Sequence, residues 1–192
     1  GTYGLYSEGA NSKNLISSGV DGHVSVIGSK GLAAFTGGTN SITGGNTTVD
    51  GGIYAQGQNS KNEIISANGT VNIKGFDAVM ANVSSTNSIT AKHVSITGAS
   101  TGLNATNGKN EITVGRDGNV AITATNAMFI QSMNGKNYVS GGNVTVEGKS
   151  SGMYVSGTNS NGENRIDAGT DGVVSVKGNI AMQSLGGTNS VI

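Results

Sequence analysis

The sequence predicts an all-β fold, a right-handed parallel β-helix of about eight coils with roughly 25 residues and three strands in each. Three observations support this prediction. An Asn-x-Ile or Asn-x-Val motif recurs along the whole chain, pairs of alternating Val and Ile follow it, and apolar residues never take a helical period. The 192 residues are expected to form a single segment, 1–192, of a longer protein.

The Asn motif is the most regular feature of the chain. Its eight copies lie 22 to 27 residues apart. Asparagines at equivalent sites of stacked coils can hydrogen-bond to each other and to turn backbone, so we expect a structural ladder rather than a ligand site. The ladder consists of Asn14, Asn40, Asn62, Asn87, Asn110, Asn137, Asn164 and Asn189.

Two further strands complete each coil. A strand of alternating Val or Ile follows the Asn motif, as at Val24 and Val26, and Thr47 begins a weaker copy. A third strand places an apolar residue two positions before a small one, as at Leu32 and Ala34. Because strand residues alternate between faces, these columns are expected inside the coil. Strands this short must stack in parallel on the next coil, and parallel crossovers are right-handed.

The turn between the Asn strand and the Val strand alternates in length, so the full repeat spans two coils. The longer turns are expected to protrude from one edge about every 10 Å, which is two strand spacings. Their Asp-Gly and Asn-Gly pairs are expected to supply positive-φ residues. The long turns carry Asp21-Gly22, Asn68-Gly69, Asp117-Gly118 and Asp171-Gly172, and the short turns carry Gly44-Gly45-Asn46, Ala91-Lys92-His93 and Gly141-Gly142-Asn143.

The composition argues against several functional classes. The 11 basic and 11 acidic residues cancel, whereas a nucleic-acid-binding protein needs a basic face. The chain has no cysteine, which removes disulfides and thiolate metal sites. Gly-rich calcium repeats are missing, and no apolar run is long enough to span a bilayer. We expect no cofactor and no metal.

The acidic residues do not group as hydrolytic catalysis requires. Glycoside hydrolysis needs two carboxylates within several ångströms. Glu63 and Glu111 share a column but lie two coils apart, with Ser88 between them. His23 and His93 share a column three coils apart, about 14 Å by strand spacing, which is too far to share one metal. We therefore expect that the protein is not an enzyme.

Lysines precede several of the motif asparagines. Lys109 and Lys136 should be neighbours on adjacent coils, a mildly unfavourable pair of like charges. This lysine row is interpreted as a solvated edge or as a weak site for anionic glycans. Its members are Lys13, Lys61, Lys109 and Lys136.

The outward positions of the third strand form the candidate contact surface, which we call the aromatic row. Four of its eight positions are aromatic in a chain with 4% aromatic residues, and Phe129 and Tyr154 should stack directly. The row is interpreted as ordinary cross-strand pairing or as a contact stripe for sugars or another rod, because exposed apolar surface is costly without a partner. The candidate contact residues are Tyr6, Tyr54, Met80, Phe129 and Tyr154.

Runs such as 152–159 (GMYVSGTN) and 171–178 (DGVVSVKG) resemble the passengers of bacterial autotransporter and two-partner-secreted adhesins. The resemblance lies in repeat style and in richness in Gly, Asn, Ser, Thr and Val, and it covers the whole chain. It implies a cell-surface or secreted protein, anchored in the outer membrane by other parts of its parent. The Gly-Asp-Ser-Gly site of serine-protease passengers has no counterpart here.

Adhesion or self-association, as in aggregation and biofilm formation, is therefore the expected function. The expected partners are the protein itself or glycans and proteins of host or bacterial surfaces, without nucleic acid. A polysaccharide-processing or tailspike-like β-helix is the alternative, and it would group carboxylates on adjacent coils. Nothing near Gly1 or Ile192 resembles a cap, so end-to-end association or fraying of the terminal coils is also expected.

Overall fold

A computed structural model describes residues 1–131, 134–156 and 161–192. The chain is all-β and forms a parallel β-solenoid of about seven turns with a spacing of about 25 residues. The fold class predicted from the repeat is therefore confirmed. The described residues contain no helix, and so none that could cross a membrane. Residues 157–159 of the run GMYVSGTN lie outside the described residues.

The strands are short in the first and last coils and long in the middle. Three central strands of 21 or 22 residues each continue around a whole coil. The strands are β1 Tyr3–Glu8, β2 Lys13–Ser17, β3 His23–Ile27, β4 Lys30–Phe35, β5 Thr39–Thr43, β6 Asn46–Asp50, β7 Ile53–Gln56, β8 Lys61–Asn82, β9 Thr86–Thr106, β10 Lys109–Ile130, β11 Lys136–Ser140, β12 Asn143–Val155, β13 Glu163–Asp167, β14 Val174–Lys177, β15 Ile180–Ser184 and β16 Thr188–Val191.

Parallel pairing stacks these strands into three ladders. The aromatic ladder runs through β1, β4, β7, β8, β9, β10, β12 and β15. The Asn ladder runs through β2, β5, β8, β9, β10, β11, β13 and β16. The Val ladder runs through β3, β6, β8, β9, β10, β12 and β14. Each column that the sequence predicts stays in register from coil to coil, so all three columns are confirmed.

The inward columns form a narrow core along the axis, beside which Ala105, Ile130 and Val155 form a small separate cluster. Leu32, Ile42 and Val49 are each 0% exposed, and the largest fully buried side chains are Leu, Ile and Met. The irregular column member Thr47 is also fully buried, and its hydroxyl lies 3.0 Å from the hydroxyl of Ser66. A hydroxyl is therefore accommodated in the core because a second hydroxyl satisfies its hydrogen bonding.

The expectation that the Asp-Gly and Asn-Gly turns supply positive-φ residues is wrong. Positive φ occurs at other residues, mostly in the turns between the aromatic and Asn ladders, as at Asn11 and Asn59, and also at Gly141 and Gly169 between the Asn and Val ladders. The long-turn glycines are required for space instead. A Cβ on Gly118 would overlap the carbonyl oxygen of Lys92 on the preceding coil and lie 2.7 Å from Val114 Cβ. Gly69 and Gly172 are crowded in the same way by the carbonyl oxygens of Gly45 and Gly142, whereas Gly22 is crowded by Ser18 of its own turn. None of these four glycines has positive φ.

Candidate functional site

The eight motif asparagines lie inside the coil and form a continuous row of amide hydrogen bonds. In the first seven, Nδ2 donates to the Oδ1 of the asparagine on the next coil, at 2.9 to 3.0 Å. Each amide also donates to a carbonyl of the aromatic ladder, as Asn40 does to Ala33 at 2.8 Å. These acceptors are strand carbonyls rather than turn backbone. Six of the asparagines are at most 1% exposed, so they cannot contact a ligand: Asn40, Asn62, Asn87, Asn110, Asn137 and Asn164.

The aromatic row lies in register along the outer side of the aromatic ladder. Phe129 and Tyr154 stack on adjacent coils, with ring centroids 5.6 Å apart and an interplanar angle of 29°. Both side chains are half-buried, as is Met80 two coils before Phe129. The full row in coil order is Tyr6, Ala33, Tyr54, Met80, Asn104, Phe129, Tyr154 and Gln183.

The expectation of an exposed row is wrong at Tyr54, which is only 8% exposed. Its ring lies against Gly52, where a Cβ would come within 3.2 Å of Tyr54 Cε2. The ammonium of Lys30 lies 5.2 Å from the ring centroid. Burial, followed by the nearby Asp77 carboxylate, raises the pKa of Tyr54 above its ordinary value. Tyr54 therefore offers much less contact surface than its column position predicts.

The first two coils contain an aromatic cluster that the sequence reasoning did not identify. Tyr3 and Phe35 pack around Tyr6, with ring centroids 4.6 and 5.7 Å from it. Lys30 Nζ lies 5.4 Å from the Phe35 centroid. The Tyr6 hydroxyl donates a hydrogen bond to the Glu8 carboxylate, and this bond raises the pKa of Tyr6 to about 12. Alternation along β4 could have identified Phe35, since it follows the outward Ala33 by two positions.

The aromatic rings that contact one another therefore fall into two groups along the rod. One group occupies the first coils around Tyr6, and the other is the Phe129–Tyr154 stack. Met80 and Asn104 occupy the row between them. The Asn104 side-chain oxygen is buried without a hydrogen-bond partner, as is that of Asn82 nearby.

The charged side chains on the outer side of the Asn ladder are largely paired with one another. Lys61 contacts Glu63 at 2.8 Å, and Lys109 contacts Glu111 at 2.9 Å. The register places Lys109 and Lys136 on adjacent coils as predicted, and their ammonium groups lie 5.3 and 5.8 Å from the ring of Tyr138. This ring reduces the cost of placing two cations together, because each ammonium is attracted to its face.

The acidic and histidine columns keep the separations that the sequence predicts. Glu63 and Glu111 are two coils apart with Ser88 between them, and each carboxylate is held by a lysine. His23 and His93 are three coils apart in the Val ladder. Within the ranges that the structure describes, no group of three or more His, Asp or Glu could hold a metal ion.

Cavities recur along the edge where the chain passes from the Asn ladder to the Val ladder, which we call the turn edge. They have volumes of about 130, 370 and 480 Å³. Each contains a residue of a short turn together with residues of the long turns on adjacent coils. These short-turn residues are Gly44, Lys92 and Gly141 with Gly142.

Comparisons of the chain with protein-family models, curated proteins and solved structures found no match. Function must therefore be inferred from the solenoid and from the chemistry of its outer faces. Two faces carry such chemistry, the aromatic row and the turn edge.

Proposed function

We propose that the protein is a segment of a cell-surface adhesin that binds along its length to copies of itself or to surface glycans and proteins. Its parent would be secreted and held at the outer membrane by other segments. The observation that carries this proposal is the aromatic row, above all the Phe129–Tyr154 stack on the outer side of the solenoid. Aromatic rings supply large apolar contact area, and such area on a surface often marks an interaction site.

The regularity of the solenoid supports binding through many small contacts. Each coil presents its outer positions in register with the next one. Single contacts on such a face are weak, but contacts repeated on one rigid rod act together and raise the overall affinity. The outward polar residues of the Val ladder could add hydrogen bonds of this kind, as Ser25, Thr48 and Thr145 lie in that row.

The double variant Phe129→Ser/Tyr154→Ser tests the proposal. Loss of two aromatic contacts should weaken capture on glycan and matrix-protein arrays, or cell aggregation, by about tenfold or more. Phe76→Ser is the matched control, since Phe76 is an aromatic side chain outside the row and 70% exposed. Circular dichroism should show the same β content in all three proteins, because the substituted side chains lie outside the core.

Two results would contradict the proposal. Equal capture by the double variant and the wild type would remove the aromatic row from the function. Cleavage of a polysaccharide by the purified protein would replace adhesion with the enzymatic alternative, which no specific feature of the described surface favours.

A further inference from the structure

Long and short turns alternate along the turn edge, and the strand register shows how many residues of each long turn bulge out. Four residues of one long turn, 115–118, lie opposite the single residue Lys92 on the preceding coil. The strand pairing shows this, because Val114 pairs with Ala91 and the next pair is Asn119 with His93. On the other side of Lys92, residues 67–69 bulge out in the same way. The exposed tips Asn68 and Asp117 therefore flank a short turn on both sides.

The short turns are the floors of the three cavities. The first lies between Val20 and Asn68, the second between Asn68 and Asp117, and the third between Arg116 and Asp171. Two of these floors are formed by glycines that have no room for a side chain. A Cβ on Gly45 would overlap the carbonyl oxygen of Gly22, and one on Gly142 would overlap that of Gly118. The second floor carries the exposed side chain of Lys92 instead.

We infer that the turn edge is self-complementary and pairs two antiparallel copies of this chain. This inference rests on the proposed function and names the partner and the face. The twofold axis that relates the two copies is perpendicular to the rods and lies midway between two adjacent coils. It places every coil with a long turn opposite a coil with a short turn of the other copy. Each protruding turn of one copy then faces a cavity of the other, and a twofold contact of this kind closes into a dimer rather than an open fibre.

Charge complementarity favours the axis that lies between the coils of Lys92 and Asp117. With this axis, Asp117 of each copy faces Lys92 of the other copy. Both side chains are exposed, and neither forms an ion pair with another part of the described chain. The same axis brings Asn68 to the cavity at Gly142 and Asp171 to the cavity at Gly44.

Three cavities on each copy give six contacts between a long turn and a cavity, and their effects combine on rigid rods. The exposed ion pair between Arg116 and Asp171 spans the third cavity. Such a surface pair is weak enough to open when the turn of a second copy enters.

Charge reversal with sedimentation equilibrium tests the inference. Lys92→Glu and Asp117→Lys should each weaken dimerisation by about tenfold or more, because each places like charges opposite one another twice. An equimolar mixture of the two variants should form a heterodimer of wild-type strength, since both contacts between positions 92 and 117 are again between opposite charges. The same changes at Lys74 and Asp50, which are exposed on the Val ladder, are the controls and should leave the dimer intact.

The outcomes separate this inference from the proposed function. A mixture that associates no better than the single variants overturns the turn-edge dimer, as does a wild-type protein that captures surface ligands but stays monomeric. The adhesive function then stands on the aromatic row alone. A wild-type protein that binds neither itself nor any glycan or protein surface overturns both.

Discussion

Replacing Asn110 with alanine tests whether the buried amide row stabilises the stack of coils. The Asn110 amide donates to Asn137 Oδ1 at 2.9 Å and to the Asn104 carbonyl at 2.7 Å. Its own Oδ1 accepts from Asn87 at 2.9 Å. Alanine removes all three bonds in a fully buried position. A buried group left without its partner costs about 1–3 kcal/mol, so three such groups should lower the free energy of unfolding by about 3–9 kcal/mol.

Urea unfolding followed by circular dichroism measures this loss. Ser88→Ala is the control, because Ser88 lies on the outer side of the adjacent strand and should change stability by less than about 0.5 kcal/mol. Asn110→Asp keeps the shape but buries a carboxylate whose pKa should be raised by desolvation, so this variant should gain stability relative to wild type as the pH falls. A loss in Asn110→Ala no larger than in Ser88→Ala would refute the reasoning.

Two further predictions concern the turns and the tyrosines. Gly118→Ala should destabilise the protein by about 1–3 kcal/mol, because the new Cβ has no room. Gly115 has open space around it, so Gly115→Ala should be neutral or stabilise the protein by about 0.4–1 kcal/mol. Thermal unfolding of both variants measures the difference. Tyr6 should ionise near pH 12, so its contribution to stability is present below pH 10 and lost between pH 10 and 12. Glu8→Gln should lower the Tyr6 pKa towards 10, and phenolate absorbance titrations with Tyr6→Phe as the reference should reveal it.

The architecture could be predicted from the sequence because each coil repeats the same constraint. A strand such as Lys13–Ser17 is ambiguous alone, but eight copies of Asn-x-Ile or Asn-x-Val at similar spacing require one stacked arrangement. The same repetition gave the registers of all three ladders. It also gave the stacking of Phe129 on Tyr154, because residues at equal positions of adjacent coils must be neighbours.

The features that sequence reasoning missed depend on contacts between different columns. Glycine in an Asp-Gly pair can serve a positive φ or a close approach, and only the carbonyl of Lys92 on the preceding coil shows that Gly118 serves the second. Tyr54 is buried because Gly52 leaves room beneath its ring and Lys30 extends over it, and neither residue belongs to the aromatic row. A column pattern contains no information about such neighbours.

The contrast between inward and outward positions indicates where function can vary without harming the fold. The inward Asn position holds the same residue in all eight coils, because each amide must match the one above and the one below. The aromatic row instead changes from Tyr6 to Ala33 to Tyr54 within three coils. An outward residue joins the ladder through its backbone, which any residue but proline supplies, and its side chain lies outside the core, so it can be exchanged without breaking the amide row. The outer face can therefore change coil by coil while the hydrogen bonds that hold the rod together stay unchanged, and the proposed adhesive function would allow its specificity to change in the same way.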